Sequence, residues 1–347
     1  MNDNPSAQRI TWIDFAKGVA IILVVLGHVL LIDISANKFF AAFRMPFFFV
    51  TAGFLLNLNK WGGAENFKPF ATKLFKRLIM PYCIAELLWY PIWFVVCHKA
   101  GHLNYLGDWA EIKPFDAFTA IFIGNGNAIG LILGPLWFLP ALLAAEIIFV
   151  RLFNRLNKFG AEIFTLSLAI CAYIGFNIKN FFELPLGIDI ALVVQLFLLA
   201  GVWIRRYNLI DKLTPINCGV LTLIVVIAFG INEHVDMNFR RYGNELLFYA
   251  GGLSGTLLVM KLSMLTPGGK IFSLISSCGR QSMMILVLHP IIANSFYELL
   301  AVTTTFTLEE FLVGPLIICA ATMLGVLVPL WIAERFGKLP VLKYFCA

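Results

Sequence analysis

Three ionisable residues interrupt a stretch that is otherwise apolar. They are Asp14, Lys17 and His28, within Asp14-Phe-Ala-Lys17-Gly-Val-Ala-Ile-Ile-Leu-Val-Val-Leu-Gly-His28. Eleven residues separate Lys17 from His28. At about 3.6 residues per turn that returns almost to the starting direction, so the three side chains share one helix face, with Lys17 and His28 about 16 Å apart along the axis. Such residues are costly inside a bilayer and mark functional sites. A neutral imidazole can take a proton from a hydroxyl or briefly accept an acyl group. The structural alternative is a histidine that bonds a neighbouring helix. Asp14 stands at i−3 from Lys17, where it can hold the lysine charged or serve as a simple interfacial acid.

Further candidates follow along the chain. Arg44, in Phe43-Arg44-Met45-Pro46-Phe47-Phe48-Phe49, lies close in sequence to the exit of the first apolar segment. It can stabilise a negative oxygen or orient a substrate, or simply snorkel. Lys73, Lys76 and Arg77 close a basic loop, Lys60–Arg77, and suit the phosphates of a donor or anionic lipid. Trp137 can stack on a sugar face or join an interfacial aromatic belt. Glu146 must be paired or protonated inside a bilayer. Glu86 and Gln195 are similar polar intrusions, for which interhelical hydrogen bonding is as good an account. Ser282 and His289 share a face, and Pro290 is expected to bend that helix. Ser-His with no orienting acid is a weak nucleophile pattern, so a structural or supporting role is expected for His289.

Elements that hold these residues must be membrane helices. The 347 residues are 60% hydrophobic and 13% charged, against roughly 25% charged in soluble domains. Mean hydropathy is +0.85. Apolar segments near 16–34, 39–58, 78–97, 131–150, 162–178, 187–204, 216–232, 246–265, 281–300 and 311–333 predict an all-α integral membrane protein of about ten transmembrane helices. With a cytoplasmic N-terminus, 18 of the 26 Lys and Arg fall on inner segments and 7 on outer ones, Lys17 lying within the first helix. This positive-inside bias predicts that both termini are cytoplasmic. The net charge of +6 is thereby explained without a nucleic-acid partner; membrane lipids are the expected surroundings. The seven cysteines have no metal-ligand spacing, so no metal site is expected. The patch 115–123 is too short to span. Gly124, Gly126 and Gly130 read as turn residues, and Gly251 and Gly255 as a helix-packing pair.

The stretch Trp12-Ile-Asp14-Phe-Ala-Lys17-Gly18 to Gly27-His28 resembles the opening of the acyltransferase family 3 membrane proteins, whose signature is Arg or Lys, ten residues, then His. Arg44-Met-Pro-Phe-Phe-Phe to Gly53, the basic stretch before Pro81-Tyr82, Leu136-Trp137-Phe138-Leu139, and Gly279-Arg280-Gln281-Ser282 to His289 match later blocks in order. The chain looks closest to the fucose 4-O-acetylase-like branch. This resemblance implies transfer of an acyl group, usually acetyl from cytosolic acetyl-CoA, to a hydroxyl of a glycan or lipid-linked sugar across a bacterial inner membrane. It carries the essential histidine onto His28, the paired basic residue onto Lys17, and donor contacts onto Lys73, Lys76 and Arg77. Many relatives add a soluble hydrolase-like domain; here a single membrane domain over 1–347 is expected. The stripe from Lys17 to His28 would then guide the donor's pantetheine arm. His28 would act as general base, or as an acyl carrier, with Arg44 near the oxyanion.

Two other classes suit the same composition. A transporter or flippase of a lipid-linked or small acidic solute would use intramembrane charges, and an inverted repeat would mark it; none is visible. A non-catalytic membrane scaffold would be indifferent to His28.

Overall fold

The computed structural model describes residues 10–29, 35–101, 111–124, 134–178, 181–303 and 314–346. The described residues form helices and no strand, apart from one isolated bridge between Asp236 and Arg241. In chain order the helices are α1 (Thr11–Val29), α2 (Ser35–Leu55), α3 (Ala64–Lys99), α4 (Pro114–Ile123), α5 (Gly134–Phe159), α6 (Ala161–Ile178), α7 (Pro185–Val193), α8 (Gln195–Arg206), α9 (Pro215–Ile231), α10 (Glu245–Leu265), α11 (Lys270–Arg280), α12 (Ser282–Thr303) and α13 (Gly314–Phe336). Seven are long and apolar enough to cross a membrane, and nine spans result if the bent pairs α7–α8 and α11–α12 each count as one. Helix satisfies every backbone group internally, which hydrocarbon demands. Each of the ten expected apolar segments overlaps one of these helices or bent pairs; α9, at 17 residues, is the shortest of them.

α1 is the hub. It packs most extensively on α11 and also touches α2, α10, α12 and α13. The α1–α11 crossing is closed by two glycines. A side chain at Gly18 would strike the Ile275 carbonyl, and one at Gly279 would strike the carbonyl of Asp14. Backbone-to-backbone approach of this kind needs small residues. Gly251 and Gly255 play the expected packing part, facing Ala228 and Phe43. Gly124 ends α4 in a left-handed conformation with φ of 63°; Gly126 and Gly130 lie outside the described residues.

One expectation needs correction. The basic stretch 60–77 is largely helix rather than loop. Phe70 and Leu74 are buried at i and i+4, and this apolar edge lets α3 begin before its most hydrophobic part while the lysines stay outward. Within α3, Phe75–Ile79 forms a π-turn in which the Met80 N–H bonds the Phe75 carbonyl, five residues back. Pro81, next in line, has no N–H and cannot continue a tight ladder. Further on, α11 and α12 meet at 86° across Gln281, and α12 continues as helix through Pro290.

Gln195 sits fully buried at the other break, between α7 and α8, and its amide donates to Ala191 O (2.6 Å) and Ala145 O (3.2 Å). It is a helix-joining residue, as one of the two expectations held.

Candidate active site

A cavity of about 410 Å³ opens between α1, α2, α3, α5 and α12. Its one end is basic, with Lys17, Lys73, Arg77 and Arg280; its inner walls are apolar, with Ile21, Val24, Met45, Phe48, Phe138 and Leu286. On α1 the lining residues are 17, 21 and 24, the i, i+4, i+7 stripe of one helix face. His28 is the next position on that stripe. α2 lines the cavity from Leu55 up to Met45, with Arg44 next, and α12 contributes Ser282, Met283 and Leu286, with His289 next. Three helices therefore carry their polar residues to one place, a turn beyond the apolar end of the cavity.

At that place the rings of His28 and His289 lie 5.3 Å apart, tilted by 45°. His289 is fully buried. Pro290 removes one backbone donor from α12, and the His289 ring turns into this region, its Nδ1 2.8 Å from Ile285 O. The Arg44 guanidinium packs over Gly27, and its Nη1 donates to Asn37 Oδ1 at 2.6 Å. Arg44 is also within electrostatic reach of His28 and of Asp236. The Tyr297 hydroxyl donates to Val29 O at 2.9 Å, pinning the end of α1 beside His28.

Gly27 is the floor for Arg44, because a methyl there would occupy the guanidinium's space. Gly27→Ala is expected to displace Arg44 and lower transfer about tenfold or more, with little change in thermal stability, since only a flexible side-chain end must move. Rate and melting measurements on the purified variant check this, and an unchanged rate would remove Arg44 from the reaction.

The sequence candidates divide into groups. Lys17, Lys73, Arg77 and Glu146 all line the cavity. Glu146, 4% exposed, accepts from Arg77 Nη2 at 2.7 Å; it anchors the basic end instead of standing with Trp137. Lys76 points away, into a shallow groove with Lys68 and Thr72. Trp137 is buried, edge-on to Phe138, and does not line the cavity. Asp14 is buried beneath α11, where Gly279 approaches its carbonyl. Ser282 is at the basic end and His289 at the other, about 10 Å along α12 at ~1.5 Å per residue, so they form no nucleophile pair. Glu86 is fully buried within α3, away from the cavity lining. Cys346 reaches the cavity, but burial pushes its thiol above the ordinary range, which keeps it protonated and a poor nucleophile.

Some contributors gave little signal in sequence. Arg280 was visible only as part of a motif. Asn37 and Tyr297 are ordinary helix residues until the fold sets them beside Arg44 and Val29. The pairing of Arg240 with Asp189, at 2.7 and 3.3 Å and fully enclosed, joins positions 51 apart in the chain. It ties α7 to the 232–244 segment that brings Asp236 toward Arg44.

A bundle of apolar helices around a basic-mouthed cavity, ending below an imidazole, defines a polytopic membrane protein. The family described as an acyltransferase domain, acyltransferase family 3, matches residues 10–334, and the chain belongs to that family. No curated protein and no solved structure matches it. The family supports membrane acyltransferase activity.

Proposed function

We propose that this chain is an inner-membrane O-acetyltransferase. It moves an acetyl group from cytosolic acetyl-CoA to a hydroxyl of a glycan or lipid-linked sugar at the outer side, in line with the fucose 4-O-acetylase-like branch. The observation that carries this reading is the cavity: basic at one end, apolar within, and ending one turn short of His28. Its volume is near the lower end of ligand pockets, roughly 300–1,000 Å³. That suits a pantetheine arm with a short acyl group, and leaves the nucleotide outside against Lys17, Lys73, Arg77 and Arg280. These cations offer charge-assisted hydrogen bonds to phosphate. Lys76, on the outward groove, is better placed for lipid headgroups.

In the reaction, His28 takes the proton of the acceptor hydroxyl as its oxygen attacks the thioester carbonyl. Arg44 offsets the negative charge that develops on the carbonyl oxygen. The C–S bond then breaks, and the CoA thiolate leaves with a proton. Trp137 and Glu146 have no part in holding the acceptor in this scheme.

The donor side is tested with Lys17→Ala. Losing one charge-assisted contact, about 1.5–3 kcal/mol, raises the Kd for acetyl-CoA by roughly 10- to 150-fold. Titration of purified protein with labelled acetyl-CoA reads it, and an unchanged Kd contradicts the assignment of this end to the donor.

A further inference from the structure

His289 holds a hydrogen-bond acceptor that nothing in the fold accounts for. Its Nδ1 lies 2.8 Å from the Ile285 carbonyl. A carbonyl oxygen can only accept, so Nδ1 carries the hydrogen, and in the neutral ring Nε2 is a bare lone pair. That Nε2 is fully buried, and no described residue donates to it. Buried acceptors are rarely left so. The nearest ring is His28, at 5.3 Å between centres. With each nitrogen about 1.1 Å from its ring centre, two nitrogens turned toward each other across that gap stand about 3 Å apart, a hydrogen-bond distance. The Nδ1 contact holds the His289 ring in place, so the His28 ring is the one that would turn to meet Nε2.

We propose that His289 is the positioning residue for His28: its Nε2 accepts the N–H of His28 and fixes that ring in one tautomer. The other His28 nitrogen is then a lone pair, free to take the hydroxyl proton. Once protonated, the His28 ring still donates to His289, so the new positive charge meets an acceptor without any proton passing to His289. The arrangement supplies the orienting partner that a carboxylate gives in other triads, with a neutral group that costs less to bury. This role rests on the reading of His28 as the base, but the tautomer it imposes exists without turnover.

Two measurements test it. The first is ¹⁵N spectra of histidine-labelled protein in lipid bilayers. With five histidines in the chain, His28 is assigned by its loss in His28→Ala. One tautomer is expected for His28 in the native protein, and a mixture in His289→Leu. The same tautomer in both overturns the proposal, whatever the protein catalyses. The second is kinetics. His289→Leu is expected to lower kcat about 100-fold with the KM for acetyl-CoA unchanged, and His289→Gln, which keeps an acceptor at the chain end, to recover at least tenfold of that. His289→Phe repeats the deletion with a ring retained should the leucine variant fail to fold. Gln as inactive as Leu, or a His28→Ala/His289→Leu double variant clearly slower than His28→Ala, overturns the proposal, because a residue acting through His28 adds nothing once His28 is gone. Transfer that survives His28→Ala removes the base reading, while a His28 tautomer that depends on His289 would still stand.

Discussion

Replacing His28 with alanine is expected to lower kcat for acyl transfer about 100- to 10,000-fold, the usual worth of a positioned general base. Every part of the site converges on this ring. The α1 stripe leads to it from Lys17, the α2 stripe brings Arg44, and the α12 stripe brings His289. The loss should fall on kcat, since the cavity below, where the donor is proposed to bind, ends at Val24 and does not include His28. The fold should survive, because no described residue is hydrogen-bonded to the His28 ring and the α1–α11 crossing is made at the other end of the helix. Initial rates with labelled acetyl-CoA and candidate glycans, beside thermal unfolding in detergent, measure both. A stable variant with native rates would remove His28 from the reaction.

The second large effect is on stability. Asp189→Ala is expected to cost about 3–5 kcal/mol, because it removes the buried carboxylate that takes two hydrogen bonds from the enclosed Arg240 guanidinium. Arg240 is 5% exposed and Asp189 1%; Glu183 also stands 3.6 Å from Arg240 and is partly exposed. Arg240 also holds a left-handed backbone with φ of 53°, a conformation costly for a residue with a side chain, which the ion pair helps to secure. Replacing both partners together, Asp189→Leu with Arg240→Met, should recover most of the loss, since a packed apolar pair often equals a buried ion pair. Chemical unfolding in mixed micelles checks the two variants. If the single and double variants unfold alike, the pair is not what holds this segment. The single variant should also lower transfer, since the segment carries Asp236, which is within electrostatic reach of Arg44.

Much of this could be read from the chain because it is local. The apolar runs announce their helices, and the Lys17–His28 spacing puts both residues on one face of α1 whatever surrounds it. The same periodicity, read too strictly, made a loop of 60–77; Phe70 and Leu74 are a two-residue apolar edge inside a basic segment, and only their burial shows it to be helix. Pairings across the chain were not legible. Arg77 and Glu146 are 69 residues apart, and each reads alone as a stray charge. His28 and His289 meet only because α1 packs beside α12. Trp137 was legible only as a type: an aromatic at a helix start suits a sugar face or an interface, and its burial against Phe138 comes from the fold.

The single apolar turn between the cavity and the two histidines has an electrical meaning. Val24, Met45, Phe48 and Leu286 line the apolar part of a space whose other part is basic. Were that space continuous across a membrane, each molecule would be a pore. One turn of hydrocarbon side chains is a thin insulator. It lets a thioester stop within reach of an imidazole while hydrated ions, which cannot shed their water cheaply, are turned back.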